Sequence, residues 1–284
     1  MWKLLLVPLV LYLAVVAALW LFHGRMVFPA GMVQPYAAPP PGSERLVVET
    51  PDGERLHGVR IPASQGTPAA GRPLILGFGG NAWNGDAVAI TLADLFPDHD
   101  VAAFHYRGYR PSSGTPGARA ILADALLVHD QLARRMGARR IVAVGFSLGT
   151  GVAARLAAER PIAGAILVTP YDSLAGVAAQ QYPWLPVRLL FRHEIPAARD
   201  VARTRTPVAI IAAERDALIL PERTEALRRR TANLVFHSII PGADHNDIYE
   251  REAFRTAMRE ALARFSAHPP LSHSRRQSLR MPTK

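Results

Sequence analysis

Gly145-Phe146-Ser147-Leu148-Gly149 sets a serine between glycines two before and two after it, in the pattern G-x-S-x-G. A serine hydroxyl is a weak nucleophile until a neighbouring base takes its proton, so the motif gains chemistry only in a defined setting. Here Arg140-Ile141-Val142-Ala143-Val144 reads as a strand entering the motif, and Thr150 to Glu159 as a helix leaving it. A sharp strand-to-helix turn would lift the hydroxyl above a sheet, with the glycines relieving the crowding. The helix amino terminus would favour a developing anion. The five residues alone also fit an ordinary glycine-rich turn with an exposed serine, so the rest of the chain must supply a base and a group to orient it.

An acid and then a histidine follow. Asp216 ends the run PVAIIAAERD, and His245 lies in PGADHND after the last predicted strand and before the last helix. Separations of 69 residues from Ser147 to Asp216 and 29 from Asp216 to His245 leave room for strand-and-helix units between them. Asp172, after AILVTP, is an alternative acid, although Ser173-Leu174 next to it fits a helix cap equally. Asp244 adjoins His245 and would need an unusual loop, and His237 lies inside a strand pattern. His57, His99, His105, His129 and His193 precede the acid and read as structural. Donors for a tetrahedral oxyanion are expected from the backbone N–H groups of Leu148 and Asn81, the latter in Gly79-Gly80-Asn81-Ala82 after the strand PLILGF. A dinucleotide site fails in detail: GFGGNAWNG lacks the G-x-G-x-x-G spacing, and no acidic ribose ligand ends the next strand.

The elements that must position these groups follow from the apolar pattern. Leu46-Val47-Val48, a Pro51-Asp52-Gly53 turn and the spacing of Leu56, Val59 and Ile61 predict an opening hairpin. Short apolar runs at 73–78, 101–106, 141–145, 164–169, 207–213 and 234–240 alternate with helical patterns around 86–96, 118–136, 149–159, 221–231 and 247–266. Continuous Val/Ile/Ala/Leu strands of this kind predict a mostly parallel sheet covered by helices on both faces, with ligands at the carboxyl ends of the strands.

Composition narrows the chemistry. With 284 residues, one folded body with appendages is expected. The chain has no cysteine, which removes thiol catalysis, zinc fingers, iron–sulfur clusters and disulfide scaffolds together. No histidine and carboxylate cluster stands at metal-ligand spacing, so no metal is expected. The net charge is +10, but Arg275, Arg276, Arg280 and Lys284 crowd the last ten residues and the remainder is thinly spread. That argues against a nucleic-acid partner and fits a solvated surface with some attraction to anionic lipid.

Leu4 to Phe22 runs for 19 residues without a charge, about 28 Å as a helix and close to the thickness of a bilayer core. It ends in Trp20, Phe22, His23 and Arg25, an aromatic and cationic edge instead of a cleavage site, which predicts a retained transmembrane anchor over 1–25. Lys3 and the amino terminus against Arg25 favour an internal amino terminus and an extracytoplasmic body. Residues 26–43, rich in proline and small residues, read as a linker, 44–266 as the folded domain and 267–284 as a disordered basic tail.

With Ser147, Asp216 and His245 in this order on such a sheet, the chain resembles the α/β-hydrolase superfamily, and within it the membrane-anchored BEM46-like group related to the ABHD serine hydrolases. GGNAWN at 79–84 looks like that group's H-G-N-A-G-N oxyanion loop, YRGYRPSSGTP at 106–116 like its Y-R-G-Y-G-x-S-x-G-x-P stretch, and 173–190 like its short cap. Gly79 stands where the group has histidine, and Arg110 where it has the glycine after Y-R-G-Y. The resemblance implies an α/β-hydrolase fold of about eight strands with a minimal cap, and cofactor-free hydrolysis of esters, thioesters or amides. The anchor favours small acyl-ester or lipid-derived substrates, with membrane lipid as the partner surface. An aminopeptidase-like hydrolase would need an acidic clamp for a substrate amine, which the sequence does not offer. A silent membrane scaffold would have no use for the serine, acid and histidine.

Overall fold

The computed structural model describes residues 2–65, 72–136 and 140–266; the expected basic tail, 267–284, lies outside the described residues. In chain order the elements are α1 (Trp2–Val27), β1 (Glu44–Glu49), β2 (Arg55–Ile61), β3 (Leu74–Phe78), α2 (Gly85–Leu95), β4 (Val101–Phe104), α3 (Ala118–Arg135), β5 (Ile141–Phe146), α4 (Leu148–Glu159) and β6 (Gly164–Val168). There follow α5 (Leu174–Gln181), α6 (Val187–Leu190), α7 (Ala197–Arg203), β7 (Val208–Ala213), α8 (Pro221–Arg230), β8 (Leu234–Ile240) and α9 (Glu252–Ser266). Eight strands form one sheet in the order β1-β2-β4-β3-β5-β6-β7-β8. The hairpin β1-β2 is antiparallel and β2 meets β4 antiparallel, while β4, β3, β5, β6, β7 and β8 run parallel.

Strand alternation builds two cores. Leu74, Leu76, Ile141, Ala143, Leu167 and Ile210 point to one face and pack beneath α3, α4, α7 and α8. Ile75, Val142, Val144, Ile166, Val168 and Ile211 point to the other, beneath α2 and α9. Successive side chains on a strand face opposite ways, so a strand buried on both sides must be apolar throughout. That is why these runs carry no polar alternation. β5 is central, and its carboxyl end delivers Ser147.

Two local differences from the predicted pattern have side-chain causes. The helix expected over 247–266 is broken into a 3-10 turn, Ile248–Glu250, and α9. Asp244 Oδ1 accepts from the N–H groups of Asn246 and Asp247 at 2.8 and 2.9 Å, and Asp247 Oδ1 accepts from the Asp244 N–H at 2.8 Å, a local set of bonds that competes with helix. The run 101–106 ends as a strand at Phe104, and Tyr106 instead turns its hydroxyl to donate to the Gly79 carbonyl at 2.8 Å.

Within α1, Leu6–Val27 is long and apolar enough to cross a membrane, and its most apolar stretch is unburied. Phe28, inside the segment read as a linker, is only 1% exposed and joins the core, against which Val27, Ala30 and Val33 also pack.

Close packing at the serine turn leaves no room for side chains. A Cβ on Gly149 would stand 2.1 Å from the Phe78 carbonyl oxygen, and one on Gly145 would stand 2.3 Å from the Gly149 carbonyl oxygen. Both obstacles are backbone. Gly149→Ala should therefore cost about 2–3 kcal/mol of stability or more, read as a lowered denaturant midpoint. A wild-type midpoint would show that the turn is looser than drawn.

Candidate active site

Ser147 occupies the turn between β5 and α4 with φ 48° and ψ −112°, a left-handed conformation costly for a residue with a side chain. Such strain persists only where the surroundings impose it, and here the Ser147 N–H donates to the Val168 carbonyl at 2.9 Å while its own carbonyl accepts from the Thr150 N–H at 2.9 Å. The hydroxyl is thereby carried above the carboxyl ends of the strands. Its Oγ lies 3.0 Å from His245 Nε2.

His245 stands in the bonded turn after β8, and its Nδ1 lies 2.7 Å from Asp216 Oδ2. Asp216 follows β7, and its other oxygen, Oδ1, accepts from the N–H groups of Leu218 and Ile219 at 3.0 and 2.7 Å. A carboxylate fixed by two backbone donors and aimed at Nδ1 holds that nitrogen protonated, so Nε2 is left as the acceptor facing the serine hydroxyl. Asp216 and His245 are both buried. The sequence-predicted serine, acid and histidine are brought together in one line.

The competing groups lie elsewhere. Asp172 pairs with Arg223 at 3.0 Å, and the cap of α5 is Ser173, whose hydroxyl accepts from the Gly176 N–H at 3.1 Å. His237 sits within β8. Among the described residues no group of three histidine or carboxylate side chains is gathered for a metal.

Leu148, next to Ser147, is the first residue of α4, and Asn81 lies in the loop after β3. The first N–H groups of a helix have no partner within it. A Cβ on Gly80 would lie 3.5 Å from the Ser147 Cβ, which measures how closely this loop crosses the serine. At Gly79 a side chain would meet Val88 at 2.9 Å and Trp83 at 3.3 Å, so the glycine standing in place of histidine leaves room for Trp83. That indole packs edge-on to Phe146 with centroids 5.0 Å apart, and 5.3 Å from Tyr249, forming an aromatic wall under the site. Burial pushes the Tyr249 phenol up to about 12, so it stays neutral there.

Functional positioning that sequence reasoning missed lies in the stretch 106–116. Tyr109 O–H donates to Asn81 Oδ1 at 2.8 Å, while Asn81 Nδ2 donates to the Val27 carbonyl at 2.9 Å, so the loop is tied on one side to the core and on the other to the end of α1. The signal available was the motif match itself, which carried no assigned role. Arg107 anchors this stretch through Asp124, with Nε and Nη2 donating at 2.9 and 2.6 Å, and through Asp52.

Hydrogen bonds from Arg107 and then Thr50 hold the Asp52 carboxyl at about 2, below its ordinary 3.8. A depressed carboxyl contributes stability above its unfolded value and loses it as the pH falls through the folded one. Between about pH 4 and 2 this brace should be released. Asp52→Asn should then flatten part of the fall in melting temperature over that range. An unchanged slope would show that the bridge is not felt.

Residues 74–198 match the α/β hydrolase fold family. An uncharacterized protein of Mycobacterium tuberculosis is 34% identical over 252 residues, covering 84% of this chain and 88% of that one. The chain belongs to the α/β-hydrolase superfamily. A lysophosphatidylserine lipase, ABHD12 of Danio rerio, is 28% identical over 168 residues, 52% of this chain and 44% of that one. Among solved structures, an esterase of Pyrococcus furiosus superposes with a TM-score of 0.66 at 19% identity, over 82% of this chain and 96% of that one, a likeness of fold. The chain is a hydrolase of this fold.

Proposed function

We propose that this hydrolase is a membrane-anchored serine hydrolase that cleaves an acyl ester or thioester through Ser147, His245 and Asp216. The observation that carries the reading is the line of contacts from Ser147 Oγ to His245 Nε2 at 3.0 Å and from His245 Nδ1 to Asp216 at 2.7 Å. Ser147 Oγ attacks the acyl carbonyl as His245 Nε2 takes its proton, giving a tetrahedral oxyanion. The Asn81 and Leu148 N–H groups receive that charge. The imidazolium returns its proton to the leaving alcohol or thiol, and the serine is left acylated. Water, deprotonated by the same nitrogen, then attacks the acyl carbonyl and frees acid and serine. Asp216 keeps the imidazole in the required tautomer and balances its transient charge.

The likeness to the membrane-anchored BEM46-like group and to a lysophosphatidylserine lipase supports acyl esters, with lipid-derived ones favoured by the apolar helix α1. In this reading 1–25 anchors, 26–43 links and 44–266 carries the chemistry on the extracytoplasmic side. The test is an acyl-ester and thioester panel run on the full-length chain in detergent. Serine-dependent turnover on any of its members supports the reading, and none on all of them opposes it.

Tyr109 acts here through Asn81. Removing its hydroxyl frees one side of the loop, and a single hydrogen bond of this kind is worth about 1 kcal/mol. Tyr109→Phe should lower kcat about fivefold with KM for a short ester unchanged. A change confined to KM would place Tyr109 in substrate binding instead.

A further inference from the structure

The loop after β6 supplies none of the three reacting groups, yet Thr169 in it carries the same rare backbone as the nucleophile. Among the described residues the non-glycine positions with a positive φ are Ala82 at 56°, Ser147 at 48° and Thr169 at 49°, in the loops that follow β3, β5 and β6. A branched Cβ makes this conformation costlier for threonine than for the other two, and such strain persists only where the surroundings impose it. We infer that Thr169 is a positioning residue: its buried hydroxyl joins the serine turn to the histidine turn and so holds Ser147 Oγ and His245 Nε2 in line. The inference rests on the serine-hydrolase reading and adds to it a residue that touches neither substrate nor reacting atom.

The contacts of Thr169 run in three directions. Toward the serine, the Val168 carbonyl accepts both the Ser147 N–H at 2.9 Å and the Thr169 hydroxyl at 2.8 Å, so the two strained residues share one acceptor. Toward the acid, the Thr169 N–H donates to the Ile211 carbonyl at 2.8 Å, in β7, the strand that leads to Asp216. Toward the histidine, Thr169 Oγ1 is hydrogen-bonded to the phenol of Tyr249, in the 3-10 turn four residues past His245. The one hydroxyl proton goes to Val168, which leaves the Oγ1 lone pairs for the phenol. The Tyr249 ring packs on Phe146, the residue before Ser147, with centroids 5.8 Å apart.

The neighbours of Thr169 fasten the same loop. Tyr171 O–H donates to the Leu148 carbonyl at 3.2 Å, and the Thr224 hydroxyl donates to the Pro170 carbonyl at 2.7 Å. Anchored to α4 and α8, the loop holds Thr169 in its strained conformation. Thr169 is 0% exposed, out of reach of an entering ester, so its hydroxyl acts through Ser147 and not on the substrate. Alignment of nucleophile and base is a demand of the transition state. Loosening the link should therefore lower kcat and leave KM alone.

The experiment uses the full-length chain in detergent, with p-nitrophenyl butyrate as the ester and hydrogen exchange as a readout that needs no turnover. Thr169→Val, which trades the hydroxyl for a methyl, should lower kcat about tenfold with KM unchanged, while Thr169→Ser should stay within about threefold of wild type. Tyr249→Phe should lower kcat about threefold, and combined with Thr169→Val it should cost nothing further, because the link is already cut. In Thr169→Val the amides of 146–149 and 245–250 should exchange about tenfold faster, with those of β1 and β2 unchanged. If Thr169→Val does not fold, Tyr249→Phe must show the same local exchange, and wild-type exchange there overturns the link. Equal losses in Thr169→Val and Thr169→Ser reduce Thr169 to packing and overturn it too. Unchanged kcat and exchange in Thr169→Val overturn the link and leave the serine-hydrolase reading standing. A wild type that turns over no ester, with variants that show the local exchange, supports the link and removes that reading instead.

Discussion

Ser147→Ala is expected to lower ester hydrolysis by at least about a thousandfold with the melting temperature within a few degrees of wild type. The hydroxyl is the nucleophile in the proposed reaction, and among the described residues no other side chain shares its position above β5 and beside His245 Nε2. Loss of the Oγ removes one hydrogen bond, to an imidazole that keeps its contact with Asp216. The strained φ of 48° remains but is no worse for alanine than for serine. Stability and activity should therefore separate cleanly. Turnover within tenfold of wild type would mean that another group performs the attack.

Asp216→Asn should be nearly as severe, lowering kcat by about a thousandfold or more, because an amide nitrogen facing His245 Nδ1 would leave the proton on Nε2, where it blocks acceptance from the serine. Asp172→Asn is the matched control. Its carboxylate is bound to the partly exposed Arg223, an ion pair worth at most about 1 kcal/mol, so activity should stay within about fivefold of wild type. If the two variants exchange these effects, Asp172 is the orienting acid and the role given to Asp216 is wrong.

The sheet was legible because its physics is local. Strands buried on both faces are continuous apolar runs, and the turn at Ser147 declares itself through the glycines at 145 and 149, whose missing side chains the close approach of backbone demands. The order of Ser147, Asp216 and His245 along the chain follows from strand ends, and strand ends follow from those runs. The cap was less legible. α5 and α6 are short, with eight and four residues, and bury little of themselves, so no apolar period marks them. The break before α9 depends on Asp244 and Asp247 bonding to the turn's own N–H groups, a choice that spacing does not reveal. Least visible was the tie from Tyr109 through Asn81 to Val27, which joins three distant segments by side-chain and carbonyl contacts. A proline-rich stretch read as a linker concealed Phe28, a single aromatic that plugs into the core.

The most direct test is to react the full-length chain, in detergent and without substrate, with a fluorophosphonate and to locate the adduct by peptide mass spectrometry. The expected result is one covalent phosphonyl group on Ser147, absent after heat unfolding and absent in His245→Ala. An adduct on any other residue, or a native protein that takes none, would contradict the assignment of Ser147 as the nucleophile.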